Sequence, residues 1–190
     1  MTTFILHGGM LGYEHPDNDS FFRECVKGLA DGDVVLFVAF AREENEQREV
    51  YEKQKQLLAR QTDAAIDVVF AELVTLREQV AQANVVFVTG GDMERLKRDL
   101  ATVPEFWELL TGKVYAGSSA GACVAGAYYF DGVSSVREGF GWLSIRVLVH
   151  DGNPDFAATG GAVEQLAQYP HELELVRVPE CGWRVFQTEE

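Results

Sequence analysis

The sequence predicts an α/β fold: a three-layer arrangement of helices on both sides of a mostly parallel central sheet, with antiparallel strands near the C-terminal end. Three observations predict it. Across the first two-thirds of the chain, short apolar runs alternate with longer polar segments of helical period, the pattern of successive right-handed strand–helix–strand units. Two runs, from Asp33 to Phe40 and from Asn84 to Thr89, are apolar almost throughout, as strands covered on both faces must be. Beyond Gly126 the pattern changes to aromatic, glycine-rich segments, which places antiparallel strands at one edge of the sheet.

Taken in order, Phe4 to Leu6 reads as a brief strand that runs into a loop containing Gly8, Gly9 and Gly12. Asp19 to Leu29 has Phe21, Phe22, Cys25, Val26 and Leu29 on one helical face. After the strand at 33–40 comes a long charged helix over 43–60, with few apolar positions and so a mostly solvated surface. Asp67 to Phe70 is a third strand and Leu73 to Ala83 a helix. Gly90-Gly91 ends the strand at 84–89, and Asp92 to Leu100 is helical. Lys113 to Ala116 leads into a short helix over 120–125. Late strands are expected near 143–149, 173–178 and 183–186, with a helix over 161–168. With no internal repeat or linker, residues 1–190 read as one domain.

Composition narrows the function classes. Hydrophobic residues make up 47% of the 190, enough to bury a core. Sixteen Lys and Arg against 30 Asp and Glu leave a net charge of −14, which repels a phosphate backbone and argues against a nucleic-acid partner. Cys25, Cys123 and Cys181 are sparse and scattered, unlike a disulfide framework or a thiolate zinc site, and no metal or cofactor is expected. The start Met1-Thr2-Thr3-Phe4 lacks the basic and apolar regions of a signal peptide, and no run reaches membrane-spanning length, so the expected compartment is the cytoplasm.

The chemistry concentrates at Val114-Tyr115-Ala116-Gly117-Ser118-Ser119-Ala120-Gly121-Ala122. Here G-x-S-x-G follows a strand and opens an Ala/Gly-rich helix. A serine held on such a corner projects its hydroxyl into a cleft, and small residues two positions either side let strand and helix approach. The helix start offers unpaired N–H groups, so the Ala120 N–H is a candidate oxyanion donor. A plain βα turn with Ser119 as helix N-cap is the other reading of the same local text.

Tyr115 to Ala122, with Thr89-Gly90-Gly91-Asp92 and His150, resembles the serine peptidase family that contains aspartyl dipeptidase (peptidase E) and cyanophycinase. The likeness runs over most of the chain, and Gly90-Gly91-Asp92 with Leu96 lies closer to the cyanophycinase form. The resemblance implies the class I glutamine amidotransferase-like, flavodoxin-like fold and makes Ser119 the nucleophile. It also implies the Gly91 N–H as second oxyanion donor, Asp92 as a substrate contact, and a small peptide as substrate. His150, at the end of the apolar Arg146-Val147-Leu148-Val149 and before a turn, is placed to enter a cleft and matches the family's histidine. Glu180, in Val178-Pro179-Glu180-Cys181-Gly182, fits the family's C-terminal glutamate; Asp131, Glu138, Asp151 and Asp155 compete for that role.

Other readings fit less well. An α/β-hydrolase order of nucleophile, acid and histidine would enlist Asp155 and His171, and His171 sits in a polar surface segment. A glutamine amidotransferase needs cysteine at the corner, and Cys123 lies one turn beyond it. A dinucleotide-binding loop needs glycine where His7 stands. A catalytically silent binding protein on the same fold remains open, since fold alone carries no activity. So do the choice among α-aspartyl, β-aspartyl and other amides, the roles of Arg137, Arg146 and Arg177 toward a substrate carboxylate, and the oligomeric state.

Overall fold

The computed structural model describes residues 1–156 and 161–188. Its elements run β1 (Thr2–His7), α1 (Pro16–Cys25), β2 (Val34–Val38), α2 (Glu44–Ala59), β3 (Asp67–Phe70), α3 (Leu76–Gln82), β4 (Val85–Val88) and α4 (Met93–Leu100). There follow α5 (Phe106–Leu109), β5 (Val114–Ser118), α6 (Ala120–Ala125), β6 (Gly126–Phe130), β7 (Val136–Glu138), β8 (Leu143–Asp151), α7 (Ala162–Leu166), β9 (Glu174–Pro179) and β10 (Trp183–Thr188).

The main sheet has the order β10-β1-β5-β4-β2-β3, parallel throughout except for β10, which adds antiparallel to β1. Its strands show why a continuous apolar run was required. Val35, Phe37, Val85 and Phe87 point to one face, with Phe21, Phe22, Tyr51 and Leu58 of α1 and α2. Leu36, Val38, Val86 and Val88 point to the other, with Leu76, Val80, Leu96 and Leu100 of α3 and α4. The side-chain period of two divides each strand between two cores.

A second sheet, β7-β6-β8-β9, packs on the far side of α6. Only β7 is antiparallel within it; β8 runs parallel to both β6 and β9. The sequence indicates β8, β9 and β10 but not their division between two sheets, because alternation reports which face a residue takes and not which edge a strand joins. Burying α6 between the sheets explains its composition: all six residues, Ala120-Gly121-Ala122-Cys123-Val124-Ala125, are buried and small enough for close approach on both sides. α1 begins earlier than its apolar face suggests, because the His15 side chain accepts the Asp17 N–H and Pro16 occupies the first turn. Among the described residues, no helix is long and apolar enough to cross a membrane.

Candidate active site

The carboxyl ends of β1, β4 and β5 converge on one crevice, where ligands of open α/β sheets bind. Ser119 sits at the corner between β5 and α6 with φ 49° and ψ −106°, a conformation costly for any residue with a side chain. The neighbouring glycines make the corner possible. A Cβ at Gly117 would lie 2.4 Å from the Gly121 carbonyl oxygen, and one at Gly121 would lie 2.6 Å from that of Val88. Tyr115, fully buried, donates its hydroxyl to the Gly121 carbonyl at 2.7 Å and ties the first helical turn to the strand. Ser119 occupies the N-cap position of α6 but makes no side-chain cap bond to it, which leaves its hydroxyl for the crevice.

Ser119 Oγ lies 3.1 Å from His150 Nε2, and His150 Nδ1 lies 2.9 Å from Glu180 Oε1. Glu180 Oε1 also accepts from Asn153 Nδ2 at 2.6 Å. Since a carboxylate only accepts, the His150 proton rests on Nδ1 and Nε2 is free to accept from the serine hydroxyl. Burial raises the Glu180 carboxyl's pKa, but the hydrogen bonds from Asn153 and His150 outweigh it and hold it below its ordinary 4.5. The imidazole is closely packed. Phe156 stacks on it, with centroids 4.4 Å apart, and a Cβ at Gly9 would come within 2.2 Å of the ring.

Among the described residues, the non-glycine residues with positive φ are Met10, Ser119, His150 and Cys181. Ser119 and His150 face each other, Cys181 follows Glu180, and Met10 lines the same cavity. Each such residue stores on the order of 1–3 kcal/mol of strain, which the surrounding packing must offset.

The family model described as Peptidase family S51 matches residues 4–134, a span that holds the Gly90-Gly91 loop and the Ser119 corner.

The chain belongs to peptidase family S51.

It is thus a member of a family of serine peptidases, and solved structures agree on the fold. This S51 chain superposes on a peptidase from an acI-B1 Actinobacterium with TM-score 0.66 and 24% identity, covering 98% of this chain and 83% of that one. It superposes on a peptidase E-type protein from Listeria monocytogenes EGD-e with TM-score 0.67 and 15% identity, covering 100% of each. No curated protein matches it in sequence.

Two cavities flank Ser119 in the S51 chain, and both also touch Gly91, His150 and Phe156. One, of about 460 Å³, is lined by Met10, Leu11, Tyr13, Arg42 and Gln54. The other, of about 210 Å³, is lined by Met93, Phe130, Val133, Leu148 and the Asp131 carboxylate. A larger groove of about 880 Å³ between residues 11–19 and α2 continues from the first at Arg42 and Gln54.

Of the expected oxyanion donors, Gly91 borders both cavities, and Ala120 is the first residue of α6, where an N–H has no intrahelical acceptor. A Cβ at Gly90 would reach 2.9 Å from that of Ser119, so this loop packs directly on the corner. Asp92 has a structural task of its own. Its carboxylate N-caps α4 by accepting the Arg95 N–H at 2.9 Å, and it lines neither cavity beside Ser119.

The arginines anticipated for a substrate carboxylate are engaged elsewhere. Arg137 pairs with Asp131, Arg177 with Asp151, and Arg146 spends its guanidinium on the Leu166 and Leu173 carbonyls. Arg42 was missed. Its Nε is buried without a hydrogen-bond partner among the described residues, as is Oε1 of Gln54 in the same cavity. The signal for Arg42 was its position directly after an apolar parallel strand, where side chains enter the crevice. Cys123 is fully buried and burial pushes its thiol up to about 12, so it is no rival nucleophile. His171 is exposed on the surface, as expected.

Proposed function

We propose that this S51 chain, read as a single cytoplasmic domain over residues 1–190, is a serine-dependent peptidase. Its substrate is a short peptide or isopeptide carrying a carboxylate, of the aspartyl dipeptide kind. The observation that carries the reading is the unbroken hydrogen-bonded run Ser119–His150–Glu180, opening on a cavity that Arg42 also lines.

In this mechanism His150 Nε2 removes the Ser119 proton as Oγ attacks the amide carbon. Glu180 holds the Nδ1–H tautomer and balances the imidazolium that forms. The Gly91 and Ala120 N–H groups receive the developing oxyanion. His150 then returns the proton to the departing amine, and water, activated by the same imidazole, releases the acyl group. Arg42 supports the acidic substrate: its Nε is buried without a hydrogen-bond partner among the described residues, in the cavity that Ser119 also lines, and a cation there, in a chain of net charge −14, is suited to a substrate carboxylate. The smaller cavity, apolar and bearing Asp131, suits the residue across the scissile bond.

The test combines covalent labelling with a substrate panel. An uncharged fluorophosphonate should label the protein at Ser119 and not the Ser119→Ala variant, and aspartyl or β-aspartyl dipeptides should be hydrolysed. A folded protein that neither reacts with the probe nor turns over any of these amides is a binding protein on the same scaffold.

A further inference from the structure

Behind the site lies a second histidine that the mechanism does not use. His7, the last residue of β1, is fully buried. Its carbonyl accepts the Ser119 N–H at 2.9 Å. Its Nδ1 accepts the Gly9 N–H at 3.0 Å and lies 3.1 Å from Ser118 Oγ, while Nε2 lies 2.8 Å from Asn18 Oδ1. These bonds fix the tautomer. A backbone amide can only donate, so Nδ1 is the acceptor and the proton sits on Nε2. Asn18 agrees, because its Nδ2 donates to the Met10 and Tyr13 carbonyls and leaves Oδ1 for His7. Burial is the main cause that brings the His7 pKa down to about 4, so the ring stays neutral around neutral pH.

What His7 holds is the two-residue floor of the site. The Gly8 carbonyl accepts the His150 N–H at 3.0 Å, and the Gly8 N–H donates to the Gly182 carbonyl at 2.9 Å. The Gly9 carbonyl accepts the N–H of Cys181, next to Glu180, at 3.0 Å. Gly9 itself, at φ 112°, presses on the His150 ring where no side chain fits. One residue is therefore joined to all three members of the Ser119–His150–Glu180 run: to the first by its own carbonyl, to the others through Gly8 and Gly9.

We propose that His7 is a positioning residue, whose Nδ1 fixes the Gly8–Gly9 peptides and through them sets the His150 ring and the Glu180 loop against Ser119. The inference rests on the reading of Ser119 as nucleophile and His150 as its base. A merely core-filling histidine, stacked at 4.5 Å on Phe21, would be replaceable by any side chain of similar bulk. A positioning one depends on which ring nitrogen is replaced. Asparagine sets its carbonyl oxygen near the place of Nδ1, whereas glutamine, closer in volume, sets its amide near the place of Nε2.

The experiment compares His7→Asn, His7→Gln and wild type by thermal melting, by the rate of fluorophosphonate labelling, and by the downfield proton resonance of the His150–Glu180 hydrogen bond. Misplacement of reacting groups by about 1 Å costs on the order of 100-fold, so His7→Gln should label about that much more slowly and lose the resonance, while His7→Asn stays within about 5-fold. His7→Gln labelling as fast as His7→Asn, with the resonance intact in both, overturns the proposal. A wild type that shows the resonance yet is never labelled counts against Ser119 as nucleophile and leaves the resonance comparison to judge His7. Nitrogen NMR of wild-type His7 needs no variant. A neutral Nε2–H tautomer between pH 6 and 9 supports the tether, and an Nδ1–H tautomer or titration in that range overturns it.

Discussion

The two halves of the site are built on different principles. The main sheet delivers Ser119 and the Gly90-Gly91 loop through local geometry: a strand end, a strained corner, and glycines placed where a Cβ would collide with backbone. The second sheet and its loops deliver His150 and Glu180 through long-range hydrogen bonds to Gly8, Gly9 and Asn153. In the first half backbone packs on backbone where a Cβ has no room, and in the second a buried strand end is aligned with a loop by hydrogen bonds. We expect the first to be the more rigid and the second the softer, so equal perturbations should affect the two unequally.

Removal of the proposed nucleophile sets the upper bound. Ser119→Ala should lower kcat on the order of 10⁴–10⁶-fold, measured on the best dipeptide substrate, with the melting temperature little changed, since alanine keeps the Cβ and with it the backbone strain of the corner. In the softer half, Glu180→Gln leaves the imidazole without its anionic partner and should cost on the order of 10³–10⁴ in kcat, with KM little altered. Gly91→Ala probes the rigid half. Its φ is 144° and the new Cβ would lie 2.2 Å from the Ala41 carbonyl oxygen, so the loop must shift. Loss of one oxyanion donor then predicts a fall on the order of 10²–10³ in kcat, together with a lower melting temperature. Arg42→Gln should reduce the preference for an aspartyl over an asparaginyl substrate by about 10–100-fold, read as a ratio of kcat/KM values; an unchanged ratio removes Arg42 from substrate recognition.

The smallest effect concerns acid stability. The folded-state pKa of Glu180 lies below its unfolded value, so its contribution is fully present above about pH 4.5 and lost as pH falls through the folded value. The melting temperature of Glu180→Gln should therefore fall less steeply than wild type in that acid range, and equal slopes would remove Glu180 as a source of the acid limb.

The contrast between the halves also explains what the sequence made legible. G-x-S-x-G after a strand announces the Ser119 corner by its spacing, although only Gly117 answers a steric demand from nearby in the chain, that of the Gly121 carbonyl, while Gly121 itself meets Val88. Gly90-Gly91 was readable as a strand end and by resemblance, its close contacts being with Ser119 and Ala41. His150 and Glu180 were found by resemblance and strand-end position, since nothing local to either shows that they meet 30 residues apart. Asp92 admits two readings because a helix N-cap and a substrate contact call for the same residue type at the same place, and the N-cap is the one its hydrogen bond shows. His7 was noted only as the residue that spoils a glycine fingerprint. Its partners at Gly9, Asn18 and Ser118 are joined by topology, which periodicity cannot report. The second sheet escaped likewise: β6 and β7 have no clean alternation, and β6 joins β8 only after the chain has turned through β7.

Pairing of β1 with β10, Thr2 with Thr188 through His7 with Trp183, joins two segments far apart in the sequence. Until β10 is in place, β1 has an open edge. The Gly8 amide likewise waits for the Gly182 carbonyl, which directly precedes β10, and the Gly9 carbonyl for the Cys181 amide. Closing the sheet and completing the floor beneath His150 are therefore one event, and a substitution that frees β10 should loosen both.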